Sequence, residues 1–193
     1  MYTKTYNIIL ASNSPRRREL LAGLGLSYEV RVIDGIDESY PHNLPIQEIP
    51  VFISQKKAEP YILAHSELLI TADTIVCLDN QVLGKPKDDA EACQMLTSLS
   101  GRTHQVITGV TLKTTEWEHS FSCTSDVTFA QLTEQEIDHY VKTHHPLDKA
   151  GAYGIQEWIG YIGVTRLEGS YFNVMGLPVQ RLYSELKKLN IKI

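Results

Sequence analysis

The sequence predicts a mixed α/β domain, a central twisted sheet flanked by helices. Three observations lead there. Short apolar runs alternate with helical periodicity through the first half, Asp88 and Thr133 each precede a glutamate by three residues as helix starts do, and two long β-prone stretches lie between those helices. With 193 residues, 42% of them hydrophobic, the chain can bury a real core and fits one domain, 1–193, more easily than two.

Tyr6 to Leu10 reads as a buried strand, short and apolar and stopped by Ser12 and Asn13. A helix follows, with Ser14 as N-cap, Pro15 in the first helical position, Leu20, Leu21 and Leu24 on one face and Gly25 as the stop. Tyr28 to Ile33 is a second strand, and an acidic turn runs from Asp34 to Ser39. Prolines 41, 45, 50 and 60 punctuate the next segment, so a helix carrying Lys56 and Lys57 is placed from about Pro50 to Pro60.

Leu68 to Leu78 is strongly β-prone, with Asp73 in its middle. Asp88 with Glu91 opens a helix through Met95, Leu96 and Leu99, and Thr133 with Glu136 opens another through Ile137, Tyr140 and Val141. Between them, His104 to Leu112 and Glu116 to Ala130 form two strands with a turn near Lys113 to Thr115. A hairpin is expected from Tyr153 to Gln156 and Tyr161 to Leu167. The last element is a helix from about Pro178, with Val179, Leu182, Tyr183, Leu186 and Leu189 on one face.

A net charge of -5 argues against broad attraction to nucleic acid or to anionic membranes, since both need a basic field, so any anion must be held by a local cluster. Cys77, Cys93 and Cys123 are widely spaced and form no C-x-x-C pair, which points to a reducing compartment. The apolar stretch near the N-terminus is too short for a signal peptide, and no window has the length of a membrane span. These features place the protein in the cytoplasm.

Ser12-Asn13-Ser14-Pro15-Arg16-Arg17 sits where a strand feeds a helix N-terminus, which offers backbone N–H groups and the positive end of a dipole. Two hydroxyls and two guanidinium forks at that turn suit phosphate oxygens. Asp73 is the second clue, because a carboxylate inside an apolar strand needs a partner or a cation; the strand is expected to reach its polar end there, opening a ligand crevice. Asp34, Asp37 and Glu38 could join it on a divalent cation. Lys85, between Gly84 and Pro86 after a turn at Asn80, suits charge neutralisation on a phosphate. No dinucleotide fingerprint, P-loop or G-x-S-x-G elbow is present, and the seven histidines lack metal spacing.

These motifs together resemble the Maf family of nucleoside triphosphate pyrophosphatases. The resemblance is carried by Ser12 to Leu21, Ala72-Asp73-Thr74-Ile75-Val76, Gly84-Lys85-Pro86, Ser100-Gly101-Arg102-Thr103-His104 and Gly169-Ser170-Tyr171 with Val174 to Pro178, in order from about residue 8 to 186. It implies an elongated domain of two lobes around a central mixed sheet, similar to the inosine triphosphate pyrophosphatases. The implied activity is metal-dependent hydrolysis between the α and β phosphates, in a cytoplasmic protein that is commonly a homodimer. Asp73 matches the family's proton acceptor, and Ser12, Arg16, Arg17, Glu38, Lys57 and Lys85 match residues for phosphate or for Mg²⁺ or Mn²⁺, with Glu38 and Asp73 as the metal carboxylates.

Asp148 to Gln156 resembles the signature of the branch acting on dTTP and UTP, in which Arg16, Thr74 and Gln156 correspond to specificity positions. A glutamine amide can pair with the adjoining N3–H and carbonyl edge that thymine and uracil share. Two departures stand out: Asn13 occupies a position where glycine is common, and Glu157-Trp158 replace the usual glycine after Ile155-Gln156. The alternatives are a pyrophosphatase for 7-methyl-GTP or for noncanonical nucleotides at large, and a nucleotide-binding regulator of division, which could dispense with Asp73 and Lys85.

Overall fold

The computed structural model describes residues 5–191, so the signal-peptide reading of the N-terminus falls partly outside the described range. Seven strands form one mixed sheet: β1 (Asn7–Leu10), β2 (Tyr28–Val30), β3 (Glu67–Leu78), β4 (Gln81–Leu83), β5 (Thr103–Lys113), β6 (Glu118–Phe129) and β7 (Val164–Glu168). Their order is β2-β1-β3-β5-β6-β7, with β4 paired to β3. β1 runs parallel to both neighbours, and its last registered pair with β3 is Leu10 with Ile70. The β3–β4 hairpin turns through Asp79 and Asn80, both left-handed at φ 49° and 61°, as a two-residue turn of the primed type requires.

The chain divides into two compact units. The first holds Met1–Asp73, Thr108–Cys123 and Gly176–Ile193; the second holds Thr74–Ile107 and Thr124–Met175. Strands β3, β5 and β6 each contribute residues to both.

The first unit carries three helices: α1 (Pro15–Ala22), α2 (Ile49–Ala58) and, at the end of the chain, α7 (Val179–Lys188). Ser14 caps α1 as its sequence requires, but the helix stops at Ala22; left-handed Gly25, at φ 72°, closes the turn that follows rather than the helix itself. α2 is fastened to the sheet by polar as well as apolar contacts. The Ser54 hydroxyl lies 2.7 Å from that of Thr111, and Thr71 donates to the Ser54 carbonyl at 2.6 Å, while Ala58 and Tyr61 pack on Ile9 and Leu69. On α7, Val179, Leu182 and Leu186 are buried as expected, but Tyr183 is exposed and Glu185 is buried in its stead. Arg181, Lys188 and His119 surround that carboxylate, which accounts for its burial.

The second unit carries α3 (Asp89–Leu99), α4 (Glu134–His144), α5 (Trp158–Gly163) and the single turn α6 (Tyr171–Val174). Asp88 accepts from the Glu91 N–H, and Thr133 with Glu136 forms a complete capping box. The expected hairpin from Tyr153 to Leu167 does not form. Residues 157–163 cap and build α5, in which a β-carbon on Gly160 would stand 1.8 Å from the Ile155 carbonyl oxygen, and only Val164–Glu168 is extended. The partner of that strand is β6, antiparallel, with an irregularity at Thr128 and Phe129.

Candidate active site

Asp73 lies in the interior of β3, not at its end. The last registered pair of β1 with β3 is Leu10 with Ile70 while β3 continues to Leu78, so Asp73 sits beyond the carboxyl end of its parallel neighbour. Its side chain is 12% exposed, and the Lys57 ammonium approaches Oδ1 to 2.8 Å. Lys57 comes from the last turn of α2 and also meets Glu38 Oε1 at 3.2 Å. The preceding residues pair in the same way, with Lys56 reaching Asp37 at 3.0 Å and donating to the Ser39 carbonyl. The acidic turn is therefore tied to α2 by consecutive lysines.

The turn into α1 is built from nested caps. Ser12 Oγ accepts from the Ser14 N–H at 3.2 Å, and Ser14 Oγ accepts from the Arg17 N–H at 3.4 Å. Ser12 is buried, while Arg16 and Arg17 are half-buried. Arg17 folds inward: Nε donates to the Gly176 carbonyl at 2.8 Å and Nη1 to that of Ala72 at 2.9 Å. Burial lowers its pKa, an effect opposed first by Asp73, deepened by Arg16 and opposed again by Glu38, so all four charges share one electrostatic neighbourhood. Within the first unit, Ser12, Arg16, Arg17, Glu38, Lys57 and Asp73 are thus gathered.

The remaining predicted residues belong to the second unit. Strand alternation turns Thr74 to the opposite face of β3 from Asp73. Lys85 is exposed just past β4 and lines a cavity of about 400 Å³ with Glu91 and Met95. The Gly84 carbonyl accepts from the Gly151 N–H at 3.0 Å, which brings the Lys85 loop beside the segment leading to Gln156. Among the described residues, the buried Gln156 Oε1 has no hydrogen-bond partner. An unpaired buried acceptor is costly and calls for a partner such as a water molecule or a bound ligand; His104 Nδ1 in the core is in the same state.

A model of the family described as Maf-like protein matches residues 7–189. The chain belongs to the Maf family. This Maf chain is 61% identical over 186 residues to the dTTP/UTP pyrophosphatase of Phocaeicola vulgatus, spanning 95% of itself and 96% of that relative. It is equally 61% identical, with the same coverage, to the dTTP/UTP pyrophosphatase of Bacteroides thetaiotaomicron. The structure of a HAM1 protein from Coxiella burnetii aligns over 95% of this chain and 99% of its own at a TM-score of 0.51 and 16% identity, a likeness of fold.

Among the described residues, no group of three or more His, Cys, Asp or Glu side chains gathers as a metal site. Asp73 and Glu38 nevertheless converge on one cation, the Lys57 ammonium. One or two carboxylates completed by water and substrate phosphate is the donor set that Mg²⁺ takes, so the pair fits.

Sequence reasoning missed Arg18, whose Nε donates to the Ser12 carbonyl and whose Nη2 donates to Asn13 Oδ1, clamping the turn into α1. It also missed Tyr140 and Lys149, which hold the segment bearing Gln156. A third consecutive arginine was the available signal for Arg18, and Lys149 lies within the Asp148 to Gln156 stretch, whereas Tyr140 was marked only as a member of a helical face. Among the described residues, no helix is long and apolar enough to cross a membrane.

Proposed function

We propose that this Maf protein hydrolyses dTTP and UTP between the α and β phosphates, giving the nucleoside monophosphate and pyrophosphate. The observation that carries the reading is the Asp73 carboxylate, buried in a strand yet held by Lys57 beside Glu38 and within electrostatic range of Arg17. The names of the two relatives at 61% identity support the substrate class.

In this mechanism Asp73 orients a water molecule and accepts its proton as the water attacks the α phosphorus. Ser12 and Arg16 bind phosphate oxygens at the start of α1, where the backbone N–H groups add to the field. Arg17 contributes charge while its bonds to Ala72 and Gly176 hold it in place. Lys85 neutralises negative charge on the departing pyrophosphate, and Lys57 holds Asp73 and Glu38 in register. Glu38 and Asp73 would hold Mg²⁺ or Mn²⁺, which would supply further charge neutralisation at the phosphates. Gln156 reads the N3–H and carbonyl edge of the base, and Arg16 and Thr74 assist in selection. A cytoplasmic homodimer completes the proposal, and the net charge of -5 supports the lack of affinity for nucleic acid or anionic membranes.

The test is pyrophosphate release from a panel of canonical, methylated and deaminated triphosphates with Mg²⁺, Mn²⁺ or neither. Preference for dTTP and UTP is expected. Equal rates on ATP and dTTP would remove the base-reading role of Gln156, and light scattering checks the dimer.

A further inference from the structure

Glu157, one of the residues singled out in the sequence, is the hub of a polar network whose other members, Tyr140 and Lys149, are buried. It occupies the N-cap position of α5 but makes no side-chain cap to that helix. Its carboxylate turns back instead: Oε2 accepts from the Tyr140 hydroxyl, and Oε1 lies 3.2 Å from the ammonium of Lys149, which is only 7% exposed. The Tyr140 oxygen in turn accepts from the Gly154 N–H at 3.0 Å, and the Glu157 N–H donates to the Gly154 carbonyl at 2.9 Å. Residues 154–157 therefore form a four-residue turn closed by its own backbone bond and braced through one tyrosine. Gln156 occupies the third position of that turn.

The bracing is close-packed. A β-carbon on Gly154 would stand 2.7 Å from the Glu157 carboxyl carbon, so the carboxylate fills the space that glycine leaves. Burial, and then the hydrogen bond to Glu157, pushes the Tyr140 phenol above its ordinary range, which keeps it a donor. Lys149 balances the charge of Glu157, with exposed Asp148 at 2.7 Å on its other side. Satisfied buried networks of this kind fix a single geometry.

We propose that Glu157, acting through Tyr140 and Lys149, is a positioning residue that fixes the Gln156 amide for base selection. The proposal rests on the reading of Gln156 as the base-selecting group. Glu157 touches no substrate; its effect passes through the turn. A glycine in its place would leave Tyr140 without an acceptor and Lys149 without its inner partner.

Removal of one partner of a buried pair is costly to folding, so the test uses Tyr140→Phe and Glu157→Gln, with thermal melts alongside. Steady-state kinetics on dTTP and dCTP are measured for both, for Gln156→Ala and for the doubles with Gln156→Ala. The expected result is a fall of roughly tenfold in the dTTP-over-dCTP ratio of kcat/KM for Tyr140→Phe and a smaller fall for Glu157→Gln, expressed in KM with kcat on dTTP nearly kept. The doubles should fall no further than Gln156→Ala alone, because the two changes act on one contact. If Gln156→Ala loses the preference while both network variants keep it, the positioning role is overturned and the base reading stands. Losses that multiply in the doubles also overturn it. If Gln156→Ala keeps the preference, the base reading fails and takes the proposal with it.

Discussion

Gly109 of β5 lies flat against Pro50 of α2: a β-carbon at position 109 would stand 2.3 Å from the Pro50 carbonyl carbon and 2.3 Å from the Val51 nitrogen. Both neighbours are backbone atoms, which cannot swing aside. This contact sets how near α2 comes to the sheet, and α2 delivers Lys57 to Asp73.

Gly109→Ala must push α2 away. Overpacking of this kind costs about 1–3 kcal/mol, or roughly 2–12 °C in melting temperature for a chain of this length. Calorimetry should show that loss together with reduced turnover, because Lys57 moves with its helix. An unchanged melt would mean that α2 does not dock against β5 in this way.

Asp73→Asn keeps the size of the side chain and removes its basicity. Turnover should fall about 10²-fold to 10⁴-fold while substrate binding is comparatively spared. Single-turnover kinetics with isothermal titration on dTTP separate the two. Weakened binding with intact turnover would contradict a proton-accepting role.

His104 is buried against Phe129 and Tyr153, and burial pushes its pKa down to about 4 from an ordinary 6.5. The unfolded chain therefore takes up this proton first, so stability is full above about pH 6.5 and declines as pH falls toward about 4. His104→Gln, which cannot titrate, should flatten that part of a urea-unfolding series. A slope that persists unchanged would assign it to other groups.

Glu185 works in a lower window. Lys188 first among its causes, with Arg181 and His119, holds the carboxyl below the ordinary carboxylate range against the opposing effect of burial. A carboxylate so shifted stabilises the fold above its unfolded value of about 4.5, and that contribution is lost as pH falls further. Glu185→Gln should lower stability at neutral pH and reduce the acid-side slope below about pH 4.5, where the wild-type contribution disappears. Equal stability of the two proteins at neutral pH would refute it.

Much of the site was legible because its signals are local. Ser14 and Pro15 announce a helix start, Thr133 and Glu136 a capping box, and Asp73 declares itself as the one charge inside an apolar run. The failed hairpin shows the limit. Tyr161 to Leu167 has strand-forming residues, yet Gly160 permits an approach to the Ile155 carbonyl that no side chain would, and the segment coils into α5 before it can extend. Likewise Tyr183 shares a helical face with Leu186 by periodicity, while Glu185 is buried because Arg181 and Lys188 along the helix and the His119 ring from β6 converge on it.

The amino-acid order alone determined the α/β class, the capped helices, the family and the identity of the charged groups, since each depends on neighbours a few residues apart. Which ammonium meets Asp73, which carbonyls occupy Arg17, and how Glu157 is bound to Tyr140 and Lys149 were decided only by tertiary structure. Pairing of buried charges depends on distance in space, and chain closure brings together groups whose separation in sequence carries no record of the contact.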